Sequence, residues 1–179
     1  MNKKETKRVV VIIGPGFEDE EVIYPVIRLR EAGLEVDIAT KDAGVVASRK
    51  GFPLETLIKY FANLVDATKL EDVYDLVMIP GGFEGPDRVR QIPEVLDFLR
   101  EVDKKGKIIV AFCHGPWVLV SAGLLKEKRA TCYQGIIDDV KNAGAHYLDQ
   151  AVVEDGNIIT ARHPKDMPEL MKTILERVQ

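Results

Sequence analysis

The chain has 179 residues and a formal net charge of -4, and its sequence pI is about 5.5. This length is typical of one domain with a substantial core, which we place at residues 8–179 after a polar tail at residues 1–7. The acidic balance argues against direct nucleic-acid binding. Two cysteines give no disulfide framework, and the chain lacks both a secretion signal and an apolar stretch that could span a membrane, so we expect a cytoplasmic protein.

Three apolar runs in the first half of the chain predict strands. They are residues 9–13, 34–39 and 76–79. Two of the runs are apolar throughout, which is typical of parallel strands buried on both faces. A helix that ends near Ala32 is expected between the first two strands, because its apolar residues have helical spacing and Gly33 follows. Residues 52–70 also show helical spacing in part, and we expect a poorly defined helix and connector there.

Residues 18–21 are four consecutive carboxylates at the start of this first helix. They occupy the place where a phosphate would bind, and no G-x-G-x-x-G spacing is present, so we exclude a nucleotide site there. Glu18 and Glu21 are three residues apart and share one face of the first turn. For Asp19 and Glu20 we expect no more than a favourable interaction with the helix dipole.

The second half of the chain continues the alternation of strands and helices. We predict strands at residues 108–112 and 129–133, a hairpin of strands at 151–154 and 158–160, and helices at 93–105, 116–125, 136–143 and 167–178. The turn residues Asp155, Gly156 and Asn157 support the hairpin. Strands that alternate with helices predict a doubly wound α/β fold, in which helices cover both faces of a mostly parallel sheet.

Cys113 lies between a predicted strand and a predicted helix, in a turn that continues with His114 and Gly115. A nucleophile elbow places its reactive side chain in this way at the carboxyl edge of a sheet. The N-terminus of the following helix lowers the pKa of a thiol and favours the nucleophilic thiolate. The alternative is that Cys113 is a small buried apolar residue, as free cysteines often are.

Gly81 and Gly82 follow the strand at residues 76–79. Paired glycines after a strand let backbone N–H groups approach a ligand closely, as an oxyanion hole requires, although they also occur in ordinary turns. The next segment, residues 84–90, is polar and is expected to be a solvated face. We expect a structural role for His163 and a packing role for Cys132, and no spacing of metal ligands is present.

These stretches together resemble the ThiJ/PfpI family. The segment AFCHGP at residues 111–116, with SAGLL at residues 121–125, is similar to the family's cysteine elbow. Further matches follow the same order as in the family: Phe17-Glu18-Asp19 with Tyr24-Pro25, Ile79-Pro80-Gly81-Gly82, Tyr133 with Gly135-Ile136, Asp155-Gly156-Asn157 and Ala161-Arg162-His163-Pro164. The similarity covers nearly the whole chain and is greatest to the PfpI branch of intracellular cysteine peptidase-like proteins. It implies a single flavodoxin-like domain with a cysteine elbow.

The resemblance also implies roles for the candidate site residues. Cys113 corresponds to the family nucleophile, His114 to the histidine beside it, and Tyr133 to a tyrosine of the pocket. Glu18 and Glu21 correspond to the two acidic positions of the pocket. One of these acids hydrogen-bonds the cysteine sulfur, and it is expected to be protonated so that it donates to the thiolate.

An oxyanion site and a second acidic residue complete what the resemblance implies. Gly81 and Gly82, together with the backbone N–H of His114, correspond to the oxyanion site. Asp87 corresponds to an acidic residue that reaches the histidine of a neighbouring subunit. The aspartate is shorter than the glutamate of the family, and the segment before it is one residue longer, so Glu84 is the second candidate.

Three functions are open on these residues. In a cysteine peptidase or hydrolase, His114 is the base and Asp87 of another subunit orients it. In a glyoxalase or deglycase, Cys113 adds to the aldehyde of a methylglyoxal-type substrate and lactate is released without a cofactor. In the non-enzymatic alternative, Cys113 is an exposed thiol of low pKa in a redox-sensing or chaperone stress protein. We therefore expect a small aldehyde or peptide substrate, no cofactor, no metal, no membrane, and self-association to a dimer or a higher homo-oligomer such as a hexamer.

Overall fold

The computed structural model describes residues 6–178, and its centre is a seven-stranded sheet. The strands of the chain are β1 (Arg8–Ile12), β2 (Glu35–Thr40), β3 (Asn63–Asp66), β4 (Leu76–Ile79), β5 (Ile108–Phe112), β6 (Arg129–Ala130), β7 (His146–Tyr147), β8 (Val152–Asp155) and β9 (Ile158–Ala161). The order across the main sheet is β3-β2-β1-β4-β5-β9-β8. Every neighbouring pair in it is parallel except β8 and β9, which form the predicted antiparallel hairpin.

Seven helices surround this sheet in the described part of the chain. They are α1 (Asp19–Glu31), α2 (Leu54–Tyr60), α3 (Glu84–Val89), α4 (Pro93–Lys104), α5 (Pro116–Ala122), α6 (Ile137–Asn142) and α7 (Met167–Val178). The prediction of a doubly wound, mostly parallel α/β fold in one domain is therefore confirmed. Of the predicted polar tail at residues 1–7, only Thr6 and Lys7 lie within the described residues.

The apolar runs predicted as strands have no polar face because both sides of the sheet are covered. In β1, Val9 and Val11 point into one core with α1 and α7, while Val10 and Ile12 point into a second core with α4 and α5. All four side chains have at most 1% of their surface exposed. Burial of such a side chain stabilises the fold by about 1.5–3 kcal/mol, so the two cores hold the central strands firmly in place.

The structure differs from the predicted elements in four places. Residues 52–70 contain α2 and then the edge strand β3, whose side chains are exposed or only half-buried, so that the strand has a weak apolar signal. The predicted strand at 129–133 stops at Ala130 and pairs with β7 instead of the main sheet. Helix α5 ends three residues early, because Gly123 adopts a left-handed conformation there. The polar segment at 84–90 forms α3, which is partly buried.

No helix between residues 6 and 178 combines the length and the apolar character needed to cross a membrane.

The turn that joins β5 to α5 requires a glycine at position 115. A Cβ atom there would collide with the carbonyl oxygen of Ile79 in the neighbouring strand, and it would lie 2.9 Å from the carbonyl oxygen of Phe112. The N–H of Gly115 also donates to Phe112 O at 2.8 Å. The turn therefore passes against the backbone of β4 with no room for a side chain.

We expect Gly115→Ala to lower the free energy of unfolding by about 1–3 kcal/mol, because the new methyl group must displace backbone atoms. Gly44→Ala is the matched control, since its Cβ would meet only Lys41 O at 3.6 Å and its φ of -78° suits any residue. Urea unfolding of both variants measures the difference. Equal free energies of unfolding for the two variants would contradict this account of the turn.

Candidate active site

Cys113 occupies a strained backbone position immediately after β5. Its φ is 57°, in the left-handed region that residues other than glycine seldom adopt. Two hydrogen bonds hold it there, from Cys113 N to Ala161 O at 3.0 Å and from Tyr133 N to Cys113 O at 2.9 Å. The second bond also explains why the chain after Ala130 leaves the predicted strand. The structure thus gives Cys113 the geometry of a nucleophile elbow.

Glu21 is the acid that meets the sulfur of Cys113. Its side chain has no exposed surface, and its Oε2 accepts a hydrogen bond from the Gly81 N–H at 2.5 Å. The side chains of Glu21 and Cys113 lie on either side of Gly81, where a Cβ atom would be 2.8 Å from Glu21 Oε2 and 2.5 Å from Cys113 Cβ. The other oxygen, Oε1, is buried and has no hydrogen-bond partner within residues 6–178. Burial raises the pKa of Glu21 to about 8, so its carboxyl group carries a proton at neutral pH.

The expectation of an exposed thiol with a low pKa is wrong. Cys113 has only 7% of its surface exposed, and burial, followed by its interaction with the Glu21 carboxyl group, raises its pKa. The backbone N–H groups of Gly82 and His114 act in the opposite direction, because they hydrogen-bond the sulfur and stabilise the thiolate. Cys113 and Glu21 therefore both hold their protons at neutral pH, and the two backbone N–H groups offset only part of the cost of forming the thiolate.

Glu18 lies in the same cavity but does not take the role of Glu21. Its Oε2 accepts a bond from Arg49 Nη1 at 2.7 Å, and its Oε1 lies 3.1 Å from Lys50 Nζ. Both carboxylate oxygens are thus paired with cations of the segment between β2 and α2. Of the two predicted acids, only Glu21 contacts the sulfur.

Asp19 and Glu20 do more than the predicted interaction with the helix dipole. Asp19 is 5% exposed and accepts bonds from Ser48 Oγ at 2.6 Å, Lys50 N at 2.9 Å and Phe52 N at 3.2 Å. Glu20 forms an ion pair with Lys50. The first turn of α1 therefore binds the segment at 48–52 to the rim of the site.

The two predicted oxyanion glycines have different environments. The N–H of Gly81 is occupied by Glu21, and a Cβ at Gly81 would lie 2.5 Å from Cys113 Cβ, so this residue fits between the thiol and the acid. Gly82 adopts a positive φ of 86° and directs its N–H toward the sulfur. The donors at the sulfur are accordingly Gly82 N–H and His114 N–H, and Gly81 has a supporting position.

His114 Nδ1 lies 3.4 Å from Cys113 Sγ. The imidazole stacks on Tyr133, with ring centroids 4.6 Å apart and an interplanar angle of 28°, and it meets the edge of Trp117 at 5.3 Å. Burial, and then the charge of Arg49, lower the pKa of His114. A neutral imidazole beside the sulfur can accept a proton at neutral pH.

Within the chain, Asp87 and Glu84 are not brought to His114. Asp87 is a partly exposed residue of α3. Its carboxylate accepts a hydrogen bond from Gln91 Nε2 at 3.2 Å and lies 3.8 Å from Arg90 Nε. Glu84 lies 3.3 Å from Arg88 Nη2. Neither carboxylate lines the cavity at Cys113.

The cavity above Cys113 has a volume of about 560 Å³. Its lining residues are Glu18, Arg49, Gly82, Phe83, Cys113, His114, Tyr133, His163 and Pro164. Arg49 and Phe83 are not among the residues predicted from the sequence to form the site, and His163 was expected to have only a structural role. No residue pattern marked them, because their contact with the site depends on how loops fold over the sheet edge. Among residues 6–178, no three His, Cys, Asp or Glu side chains are grouped to hold a metal ion.

The chain belongs to the DJ-1/PfpI family, whose model matches residues 7–177. Deglycase PfpI of Pyrococcus furiosus is 37% identical over 172 residues, which are 94% of this chain and 98% of the relative. Protein/nucleic acid deglycase 2 of Escherichia coli is 37% identical over 172 residues, 95% and 96% of the two chains. YraA of Bacillus subtilis, named as a candidate cysteine protease, is 36% identical over 162 residues, 90% and 92% of the two chains.

Solved structures show the same fold. DJ-1beta of Drosophila melanogaster has a TM-score of 0.82 and 29% identity, covering 97% of this chain and 91% of its own. A protein of Anabaena variabilis with a DJ-1/ThiJ/PfpI-like and a ferritin-like domain has a TM-score of 0.86 and 36% identity. Our chain covers 97% of its own length and 48% of that two-domain chain. These findings confirm the predicted family and a cysteine-dependent enzyme of the deglycase or peptidase type.

We expect the stability of Glu21→Gln relative to the wild type to depend on pH. The folded wild type binds the Glu21 proton up to a pKa of about 8, against 4.5 for an unperturbed glutamate. The stability from this proton is complete below pH 4.5 and is lost as the pH rises through 8. Across this range the wild type should lose about 4–5 kcal/mol of unfolding free energy relative to the variant.

Urea unfolding at a series of pH values measures this difference. Glu20→Gln is the matched control from the same helical turn, because Lys50 lowers the pKa of Glu20. This control variant should gain no stability over the wild type across the same range. A difference between wild type and Glu21→Gln that does not change with pH would show that Glu21 is ionised in the folded protein.

Proposed function

We propose that this protein is a cofactor-independent glyoxalase or deglycase, which converts methylglyoxal-type α-oxoaldehydes to 2-hydroxy acids through Cys113. One observation carries the proposal: a single chain already brings Glu21, Cys113 and His114 into contact. The peptidase scheme additionally needs an acid at His114, and neither Asp87 nor Glu84 supplies one within the chain. The aldehyde reaction needs no further group.

In the first step His114 accepts the proton of the Cys113 thiol, and the sulfur adds to the aldehyde carbon C1. A C–S bond forms, and the carbonyl π electrons move to the oxygen, which Gly82 N–H and His114 N–H can stabilise as they stabilise the sulfur. The protonated carboxyl of Glu21 is beside the sulfur and stabilises the thiolate before the attack. His114 then gives this proton to the new oxygen, so the product is a hemithioacetal and the imidazole is neutral again.

The second step moves a proton from C1 to C2. Neutral His114 takes the proton from C1, the electron pair shifts toward the ketone, and an enediol forms. Return of a proton to C2 gives a thioester of the 2-hydroxy acid. Water then cleaves the C–S bond and releases lactate from methylglyoxal and the thiol of Cys113. C1 is oxidised from aldehyde to acid and C2 is reduced from ketone to alcohol, so the reaction consumes only water.

Deglycation can follow the same reaction steps, with an amine adduct of methylglyoxal as the starting compound. The early adduct of an amine with methylglyoxal has C1 bonded to nitrogen and hydroxyl. Transfer of C1 from nitrogen to the Cys113 sulfur releases the amine and forms the same hemithioacetal. The deglycases of Pyrococcus furiosus and Escherichia coli among the relatives support this extension. Two free cysteines, Cys113 and Cys132, agree with a reducing compartment, so we propose a cytoplasmic location.

We expect Cys113→Ser to reduce lactate formation from methylglyoxal by about 1,000-fold or more, because the hydroxyl replaces the nucleophile. Cys132→Ala is the matched control, since Cys132 is buried outside the cavity and should not affect turnover beyond a small loss of stability. Coupled detection of lactate measures the rates. Equal turnover by wild type and Cys113→Ser, or none by the wild type, would overturn the proposed function.

We also propose that the protein forms a dimer or a higher homo-oligomer through the face that carries Phe83. This phenyl ring is 67% exposed and contacts His114 and Trp117 edge-on, with centroids 5.9 Å and 5.8 Å apart. Such a large exposed aromatic surface at the mouth of a site is typical of an interface. Asp87 lies one helical turn further on α3, so a second copy docked here is the partner whose histidine it is predicted to reach.

We expect Phe83→Glu to shift the protein toward the monomer, because a charge replaces the apolar contact. Light scattering after size exclusion, at several protein concentrations, measures the mass. Leu96→Glu, a half-buried position of α4 packed within the chain, controls for general destabilisation and should not change the mass of the folded fraction. A wild type that is monomeric at all concentrations would rule out the proposed assembly.

A further inference from the structure

The cavity above Cys113 contains one arginine and no lysine. Arg49 is the only Arg or Lys side chain among the residues that line this cavity. It comes from the segment between β2 and α2. The neutral aldehyde reaction described above does not use it. The proposed reaction therefore leaves the role of this positive charge in the cavity unexplained.

The position of Arg49 is built into the fold. Its backbone N–H donates to Phe17 O at 2.9 Å, and Phe17 pairs with Ser48 in a short parallel bridge. The buried carboxylate of Asp19 binds the residues on either side of it, through Ser48 Oγ and Lys50 N. A charge-assisted bond is stronger than a neutral one, so Asp19 fixes the segment that presents the guanidinium.

The guanidinium of Arg49 retains donors for a ligand. It has five N–H groups, and Glu18 occupies Nη1 at 2.7 Å. Within residues 6–178, Glu18 is the one carboxylate within ion-pair distance of Arg49, and 64% of the arginine side chain is exposed. Since Lys50 binds the other oxygen of Glu18, the carboxylate of Glu18 is compensated on both sides. An anionic ligand group therefore meets the remaining guanidinium donors without facing an unpaired carboxylate.

The charge of Arg49 also acts on the reacting groups. Burial and then the charge of Arg49 lower the pKa of His114, while the bond to Glu18 raises the pKa of Arg49, with a smaller contribution from Cys113. Both effects require that the guanidinium and the reaction centre interact across the cavity. A ligand that spans the two would have its carbonyl at Cys113 and its negative group at Arg49.

We propose that Arg49 forms a carboxylate-binding subsite, which selects α-oxoaldehydes that carry a carboxylate at the end remote from the aldehyde. This inference rests on the proposed function. A suitable probe is 4,5-dioxopentanoate, in which two methylene groups separate the carboxylate from the oxoaldehyde. The reaction is the one described above: water is consumed, C1 becomes an acid and C2 an alcohol, and the product is 2-hydroxyglutarate. The remote carboxylate is unchanged throughout.

The test is the preference of the enzyme, defined as kcat/KM for 4,5-dioxopentanoate divided by kcat/KM for methylglyoxal. Loss of a charged hydrogen-bonding partner in Arg49→Gln should lower this preference about 10- to 100-fold, mainly through KM. Arg49→Lys retains the charge without the planar fork and should lower it less. Lys41→Gln is the matched control, because Lys41 is an exposed cation of the same segment between β2 and α2 that neither lines the cavity nor pairs with Glu18. It should leave the preference unchanged.

A wild type with no preference, or an Arg49→Gln preference equal to that of the wild type, would overturn the subsite. Binding separates this result from a failure of the proposed function. In Cys113→Ser, calorimetry should show tighter binding of 2-hydroxyglutarate than of lactate, and Arg49→Gln should remove that difference. Absence of turnover with intact selective binding would overturn only the reaction, whereas equal binding of both acids would overturn only the subsite.

Discussion

A buried carboxyl group beside a buried thiol is the constraint on which the site depends. Glu21 has no exposed surface and Cys113 has 7%, so ionising either group costs more free energy than it would in water. Burial keeps the proton on the Glu21 carboxyl group beside the sulfur, and the backbone N–H groups of Gly82 and His114 act to lower the pKa of the thiol. The other contacts of the site hold these atoms together and keep them shielded from solvent.

The fold supplies this arrangement by ending neighbouring parallel strands at one edge. The strands β1, β4 and β5 are adjacent, and the residues that follow them provide the acid, the glycine donor and the cysteine. The strained φ of Cys113 persists because Ala161 and Tyr133 bind its backbone on both sides. The free energy gained by packing the two apolar cores offsets the strained backbone conformation of Cys113, which directs the thiol toward the cavity.

The sequence was sufficient to predict the strands, the elbow and the group of candidate residues, because apolar runs and turn residues are local signals. It did not distinguish Glu18 from Glu21, since both lie on one helical face and only tertiary packing decides which meets the sulfur. Arg49 lies in an irregular segment without periodicity, and its place in the cavity follows from the bonds made by Asp19. The low thiol pKa was predicted wrongly because local context suggested a helix end, while burial outweighs it.

Carbon-13 NMR of the side-chain carboxyl groups of labelled glutamate tests the central claim most directly, with Glu21→Gln used to assign the Glu21 resonance. Our account predicts that Glu21 is protonated at neutral pH and titrates at about 8. In that case the acid donates to the sulfur as the chemistry requires. A midpoint at the ordinary glutamate value of 4.5 would contradict the account, because a carboxylate would then repel the thiolate that it is meant to stabilise.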